Sequence, residues 1–169
     1  LPEEVAAARQ RLRWVRVVNL ALGVEGHAPR PEHWLYFPDP ALPFYRVGFP
    51  SNHGAVAPPG CHTVSAEVSL DPGAGNVEAA AREAEDALIR AGLLQPGRAR
   101  VRLVTVLDPA YVVFDRARRR ALVTIRRYLS DHRVVIAGRW AEWKYSAMED
   151  AVVDGMRAAR AVRKVDDER

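Results

Sequence analysis

Lysine is nearly absent from this 169-residue chain: Lys144 and Lys164 are the only two, so 23 of the 25 basic residues are arginine. Against 21 acidic residues they leave a net charge of +4, too little to mark a dedicated nucleic-acid binder. With the many Ala, Val and Pro, the arginine bias reads as GC-rich codon usage and not as a ligand signal. Cysteine is limited to Cys61, which excludes an intrachain disulfide and a multi-cysteine metal cage and makes a reducing, cytoplasmic setting the expectation. Long apolar runs are missing as well. Arg16, Asn19 and Glu25 interrupt the best candidate before it reaches the roughly 18 residues of a membrane span, and no signal-peptide pattern opens the chain. What is there, 49% hydrophobic and 27% charged residues, excludes wholesale disorder and fits one domain, or one domain and part of another. The first residue is Leu1 and not Met, which suggests a processed or excised segment.

The motifs of common catalytic sites are also lacking. Gly73-Ala74-Gly75 precedes a helix, but the third glycine of a dinucleotide fingerprint is Glu78 and Leu70-Asp71-Pro72 stands where the buried strand should end, so a structural turn is expected. His27, His33, His53, His62 and His132 never pair at i, i+4, Cys61-His62 is isolated, and no metal site is expected. No G-x-S-x-G elbow presents a serine. Six arginines between Arg116 and Arg127 could neutralise phosphates, yet the same interval carries a full apolar stripe and no stacking aromatics, so they read as a solvated helix face.

The periodicities give the elements. Pro2, Glu3 and Glu4 open a helix reaching residue 12. Trp14 to Val24 reads as a largely buried strand, and His33 to Phe37 and Tyr45 to Phe49 as short aromatic strands before a proline-rich loop from Pro50 to Gly60. His62 to Leu70 alternates Val64, Ala66, Val68 and Leu70 with polar residues, the signature of a strand with one buried face. Asn76 is placed to cap a helix whose stripe is Val77, Ala80, Ala81, Ala84, Leu88 and Ala91, ended by Gly92. Arg98 to Val106 is the next strand, broken by Asp108-Pro109. Tyr111 to Phe114 resumes it, and a helix bearing Ala117, Ala121, Leu122, Ile125, Tyr128 and Leu129 follows. Val134 to Ala137 reads as a short buried strand, Trp140 to Tyr145 as an aromatic connector, and Ser146 with Glu149 as a capping box opening a last helix. Strands and helices without strict alternation predict an α+β fold with an antiparallel or mixed sheet and flanking helices. The expected division is residues 1–131, a strand and helix over 132–163, and a charged tail at 164–169.

The segment Ile136-Ala-Gly138-Arg139-Trp140-Ala-Glu-Trp143-Lys-Tyr145-Ser146-Ala147-Met148-Glu-Asp150 resembles the C-terminal flavin-contacting element of the FAD-dependent superfamily that includes amine oxidases, protoporphyrinogen oxidase and UDP-galactopyranose mutase. Pro109-Ala110-Tyr111 resembles the stretch that precedes that element, and Tyr45 to Glu67, with Phe49-Pro50-Ser51-Asn52 and Ala57-Pro58, resembles strands of the substrate-binding domain. The resemblance covers most of the chain, while its specific part is Gly138 to Asp150.

It implies a cofactor, FAD, approached by Gly138, Arg139, Ser146, Ala147 and Met148: backbone at Gly138, a guanidinium at Arg139 for a phosphate or substrate anion, and the helix N-terminus at the flavin edge. Trp140, Trp143, Tyr145 and Tyr111 are then walls of the flavin or substrate cavity. The plain alternative is a surface arginine, core aromatics and an ordinary capped helix. Two departures matter. Ala147 stands where the mutase pattern has an acid before the Met, which argues against a flavin-dependent sugar mutase. The N-terminal G-x-G-x-x-G fold that holds FAD is not in this chain.

The resulting expectation is the substrate-binding and C-terminal portion of an FAD-dependent oxidoreductase of amine-oxidase or protoporphyrinogen-oxidase type, inactive and flavin-free alone, whose partners are an N-terminal FAD domain and a small-molecule substrate. Its exposed C-terminal elements could associate as a homodimer. The rival is a stand-alone, non-catalytic binding module for an anionic ligand. Whether the reading frame continues upstream of Leu1 into a G-x-G-x-x-G unit separates the two.

Overall fold

A computed structural model describes the backbone of residues 1–167 and the side chains of residues 1–163. The chain forms two compact units, Val15–Ala110 and a second built from Leu1–Trp14 with Tyr111–Arg169. Of the charged tail expected at 164–169, residues 168–169 lie outside the described residues, and residues 164–167 continue the last helix.

The first unit is organised by one sheet. Its strands are β1 (Trp14–Glu25), β2 (Trp34–Tyr36), β3 (Arg46–Gly48), β4 (Cys61–Leu70) and β5 (Ala99–Val112), in the order β2-β3-β4-β1-β5. β1 pairs antiparallel with β4, Leu20 opposite Ala66 and Leu22 opposite Val64, so the alternating apolar residues of both strands fall on one face. Helix α2 (Val77–Arg90) covers that face with Ala81, Ala84, Ala87 and Leu88, all buried. Ala81, Ala84 and Ala87 present only a methyl group each to the core, where Leu88 packs with Leu20, Leu22 and Val64. Asn76 caps it as expected, its side chain accepting from Ala79 N–H at 2.9 Å. Gly73 and Gly75 both take positive φ, and Arg16 binds the Ala74 and Gly75 carbonyls, so the glycine pair is a structural turn. The expected α+β class with an antiparallel sheet is what the chain adopts.

β5 overturns one reading. Asp108-Pro109 lies inside the strand instead of ending it. Proline removes one backbone donor, and β5 is the edge strand, where a missing donor costs the ladder least.

In the second unit α1 (Glu3–Gln10) packs its buried Val5 and Ala8 toward α3 (Arg116–Asp131), whose buried residues are Ala121 and Leu122. Asp115 caps α3 by accepting from Arg118 N–H at 2.7 Å. Arg133, at φ 56°, closes α3: its N–H reaches Ser130 C=O at 2.9 Å and Val134 N–H reaches Leu129 C=O at 2.8 Å. The short strand expected at Val134 to Ala137 does not form. The segment has no ladder partner among the described residues, and Val134, Val135 and Ile136 line a cleft of about 350 Å³ with Arg126 and Leu129.

Two further expectations fail around the start of the last helix. Part of the aromatic connector is the single-turn helix α4 (Gly138–Ala141). The last helix, α5 (Met148–Asp167), begins two residues after Ser146, and the Ser146–Glu149 capping box is not made. Instead the Asp150 carboxylate accepts from Ala147 N–H at 2.8 Å, and the Ser146 hydroxyl is buried without a partner. An acid one position further along captured the free donor, which leaves the serine out.

Candidate functional site

The residues singled out between Gly138 and Met148 converge on Arg139. Gly138 enters α4 at φ 87°, a conformation that side chains rarely tolerate, and thereby sets the direction of Arg139. The Arg139 guanidinium lies 5.1 Å from the Tyr111 ring centroid, 5.2 Å from Trp140 and 5.8 Å from Tyr145. Three electron-rich faces around one cation form a partial aromatic cage. Its Nη1 also donates to Ser146 C=O at 3.4 Å, tying the cage to the start of α5. Tyr145 meets Tyr111 edge-on at 5.9 Å and Phe114 at 4.8 Å.

The structure therefore brings Tyr111, Arg139, Trp140, Tyr145 and Ser146 together. It does not bring Trp143, Ala147 and Met148 into the same cluster. Trp143 packs edge-on against Trp14 at 6.0 Å, and Ala147 spends its N–H on Asp150. Met148 is 89% exposed. Trp143 sits at φ 52° and closes α4 as Arg133 closes α3, its N–H reaching Trp140 C=O at 3.2 Å while Lys144 N–H reaches Arg139 C=O at 3.0 Å. A left-handed tryptophan is costly, and its burial against Trp14 offsets that cost.

Sequence reasoning missed what holds this loop. Arg118, read as part of a solvated face, donates through Nε to Trp143 C=O at 2.8 Å and through Nη2 to the same oxygen, while stacking 4.1 Å over Phe114. Burial pushes its pKa below the ordinary arginine value, and the charge of Arg126 adds to that. Arg126 donates to Glu142 C=O at 3.2 Å. Beneath them Asp154, only 2% exposed, is ion-paired with Lys144 at 2.8 Å and with Arg157 at 3.5 Å, and Glu142 meets Lys144 at 3.2 Å. The hydrogen bond to Asp154, and then that to Glu142, raises the Lys144 pKa. Only the six-arginine run hinted at any of this, and nothing local distinguishes Arg118 within it.

The unit Val15–Ala110 holds a second feature, on the sheet face opposite α2. There the central positions are small, with Gly23 and Ala21 of β1 opposite Thr63 and Ser65 of β4. Val101 and Leu103 of β5 form one wall and the loop through Val56 and Pro58 the other, around a cavity of about 560 Å³. Beyond Ser65 the face turns polar: Glu67 accepts from the Tyr45 hydroxyl and the Arg46 guanidinium, and His53 stacks on Trp34 at 5.9 Å while meeting the tilted His33 ring at 3.9 Å. Among the described residues no group of three His, Cys, Asp or Glu could hold a metal ion, and no helix is long and apolar enough to cross a membrane.

No protein-family model matches the sequence, and no curated protein does. Solved structures do match in fold. Reduced UDP-galactopyranose mutase superposes with a TM-score of 0.76 at 23% identity, over 82% of this chain and 31% of that one. The PF1083 protein from Pyrococcus furiosus matches with a TM-score of 0.51 at 16% identity, over 66% of this chain and 26% of that one. At such identities the likeness is one of fold, and the chain spans about a third of the mutase structure it matches.

Proposed function

We propose that this chain is the substrate-binding and C-terminal portion of an FAD-dependent oxidoreductase of the amine-oxidase or protoporphyrinogen-oxidase type. The observation that carries the reading is the fold likeness to UDP-galactopyranose mutase over 82% of the chain, a member of the superfamily that Gly138 to Asp150 resembles on independent grounds. The residues fit such a cofactor in their chemistry. A caged guanidinium at Arg139 suits a phosphate or a flavin carbonyl, and the buried, unpartnered Ser146 hydroxyl is a polar group in search of an acceptor or donor. Bound FAD supplies the hydride acceptor. Arg139 and Ser146 would hold and orient it, with Tyr111, Trp140 and Tyr145 lying beside it. Ala147 in place of an acid before Met148 supports oxidase over mutase chemistry.

Flavin absorbance tests the proposal. The desalted 169-residue chain is expected colourless, and the polypeptide that carries a G-x-G-x-x-G fold ahead of it yellow, with Arg139→Ala weakening flavin retention there. A stoichiometrically yellow isolated chain, or a longer polypeptide without flavin, overturns it. An open reading frame with nothing ahead of this chain favours instead the stand-alone module for an anionic ligand. In the same reading α5 offers its exposed stripe of Met148, Val152 and Met156 to the flavin domain. In the isolated chain two copies cover it: light scattering should show a dimer that Met148→Glu with Val152→Glu and Met156→Glu abolishes.

A further inference from the structure

The open face of the sheet carries a trough lined mostly by small and apolar side chains. Along its centre the side chains are Gly23, Ala21, Thr63 and Ser65, which leave a trough between Val101 and Leu103 on one side and the Val56–Pro58 loop on the other. Gly23 is needed for that shape, because a Cβ there would sit 3.1 Å from the Cβ of Val101 and push the wall away. The volume, about 560 Å³, falls within the ~300–1,000 Å³ of small-molecule sites.

The hydroxyls, the imidazole and the guanidinium along the trough are already engaged within the protein, and the remaining polar group, the free Cys61 thiol, is a weak hydrogen-bonding partner. Ser65 donates its hydroxyl to Asn19 at 2.7 Å. The Ser51 and Thr63 hydroxyls share a bond at 3.1 Å, and Thr63 N–H donates to Ser51 at 2.9 Å. His62 Nδ1 is bound to Gly26 C=O at 3.0 Å. Arg100, the charge at the rim, is ion-paired with Glu25 at 2.8 Å. A phosphate or a sugar entering here gives up water and finds its would-be partners occupied, whereas an apolar body gives up nothing and covers exposed Val101 and Leu103.

We propose that this trough binds an uncharged, predominantly apolar small molecule, so that the substrate class of the flavoprotein is apolar and not a nucleotide sugar. The statement about the substrate rests on the reading of this chain as a substrate-binding portion. The statement about the trough stands on its lining.

Nile red, a neutral apolar dye, is the probe, titrated by fluorescence into the intact chain and displaced with retinol or with UDP-galactose. Saturable one-site binding is expected, displaced by retinol and not by the nucleotide sugar. Ala21→Trp, which fills the trough, and Leu103→Arg, which charges its wall, should each weaken binding by about tenfold or more. Glu83→Trp, on the exposed side of α2, should leave it unchanged, with circular dichroism confirming the fold of all three. Displacement by UDP-galactose overturns the proposal, as does absence of binding or an affinity within about twofold of the parent in both trough variants. So does a dimer that Leu103→Arg dissociates, since a second copy would then cover the face. No flavin enters these measurements, so their failure is separate from failure of the flavoprotein reading. If the absorbance test fails while Nile red binds as expected, the trough remains an apolar site and only its assignment to a flavin substrate is lost.

Discussion

Arg118 shows how one side chain can hold a loop that its own sequence would not. The planar fork gives two donors to the Trp143 carbonyl and a flat face to Phe114. Lysine keeps the charge but not the fork or the stack. Arg118→Lys is therefore expected to destabilise the unit containing α3 by about 1–2 kcal/mol, and Arg118→Ala by somewhat more. Urea unfolding monitored by tryptophan fluorescence reads this, and equal midpoints for Arg118→Lys and the parent would refute it. Lys144 offers a pH test. Its pKa is raised above the ordinary 10.5, chiefly by the hydrogen bond to Asp154. A raised lysine contributes stability that is complete below the unfolded value and lost as pH rises through the folded one. Thermal midpoints should accordingly fall above pH 10.5 more steeply in the parent than in Lys144→Met, which lacks the titrating partner.

At the scale of elements, α2 packs on the sheet through its alanines as well as Leu88. Ala81, Ala84 and Ala87 are fully buried, so a larger side chain has no space to enter. Ala84→Leu should cost about 1–3 kcal/mol despite its good helix propensity, whereas Asn76→Ala should cost about 1 kcal/mol through the lost cap. Chemical denaturation of both variants checks the order. If Ala84→Leu is neutral, the helix stands further from the sheet than its buried alanines imply. Elements also show where reading by pattern stopped. β4 and α2 were legible because their apolar residues repeat at 2 and near 3.6 residues, periods that the backbone imposes. Val134 to Ile136 has the same β-branched character yet forms no strand, because a strand needs a partner edge that no local pattern can supply.

For the whole molecule, the division into Val15–Ala110 and the remainder makes one unit continuous in sequence and the other discontinuous. The continuous unit owns a core that runs from Val18 through Phe44, Phe49 and Val64 to Leu88 and Leu94. A fragment of residues 14–112, which keeps β1 and β5 whole, is expected to fold alone with a cooperative thermal transition and dispersed amide resonances. Residues 111–169 alone are expected not to fold, since α1, which packs on α3, is missing from them. A disordered 14–112 fragment would show that the core needs the rest of the chain.

By itself the sequence determined the α+β class, the positions of β1, β4, α2 and α3, the caps at Asn76 and the stop at Gly92, and the segment around Arg139 where the aromatic residues gather. Each of these is written in neighbours a few residues apart, through side-chain alternation, helical spacing or a capping oxygen. The tertiary structure alone decided which groups those residues meet. Nothing near Arg118 announces a carbonyl 25 residues away, and nothing near Ser65 announces that Asn19, 46 residues earlier, accepts its hydrogen bond. Nor could the small outward residues of β1 and β4 be told from an ordinary wet face until Val101 and the Val56–Pro58 loop closed around them. The reason is physical: backbone periodicity is a local property of the chain, whereas burial, hydrogen-bond partnership and cavity shape belong to surfaces that only folding brings together.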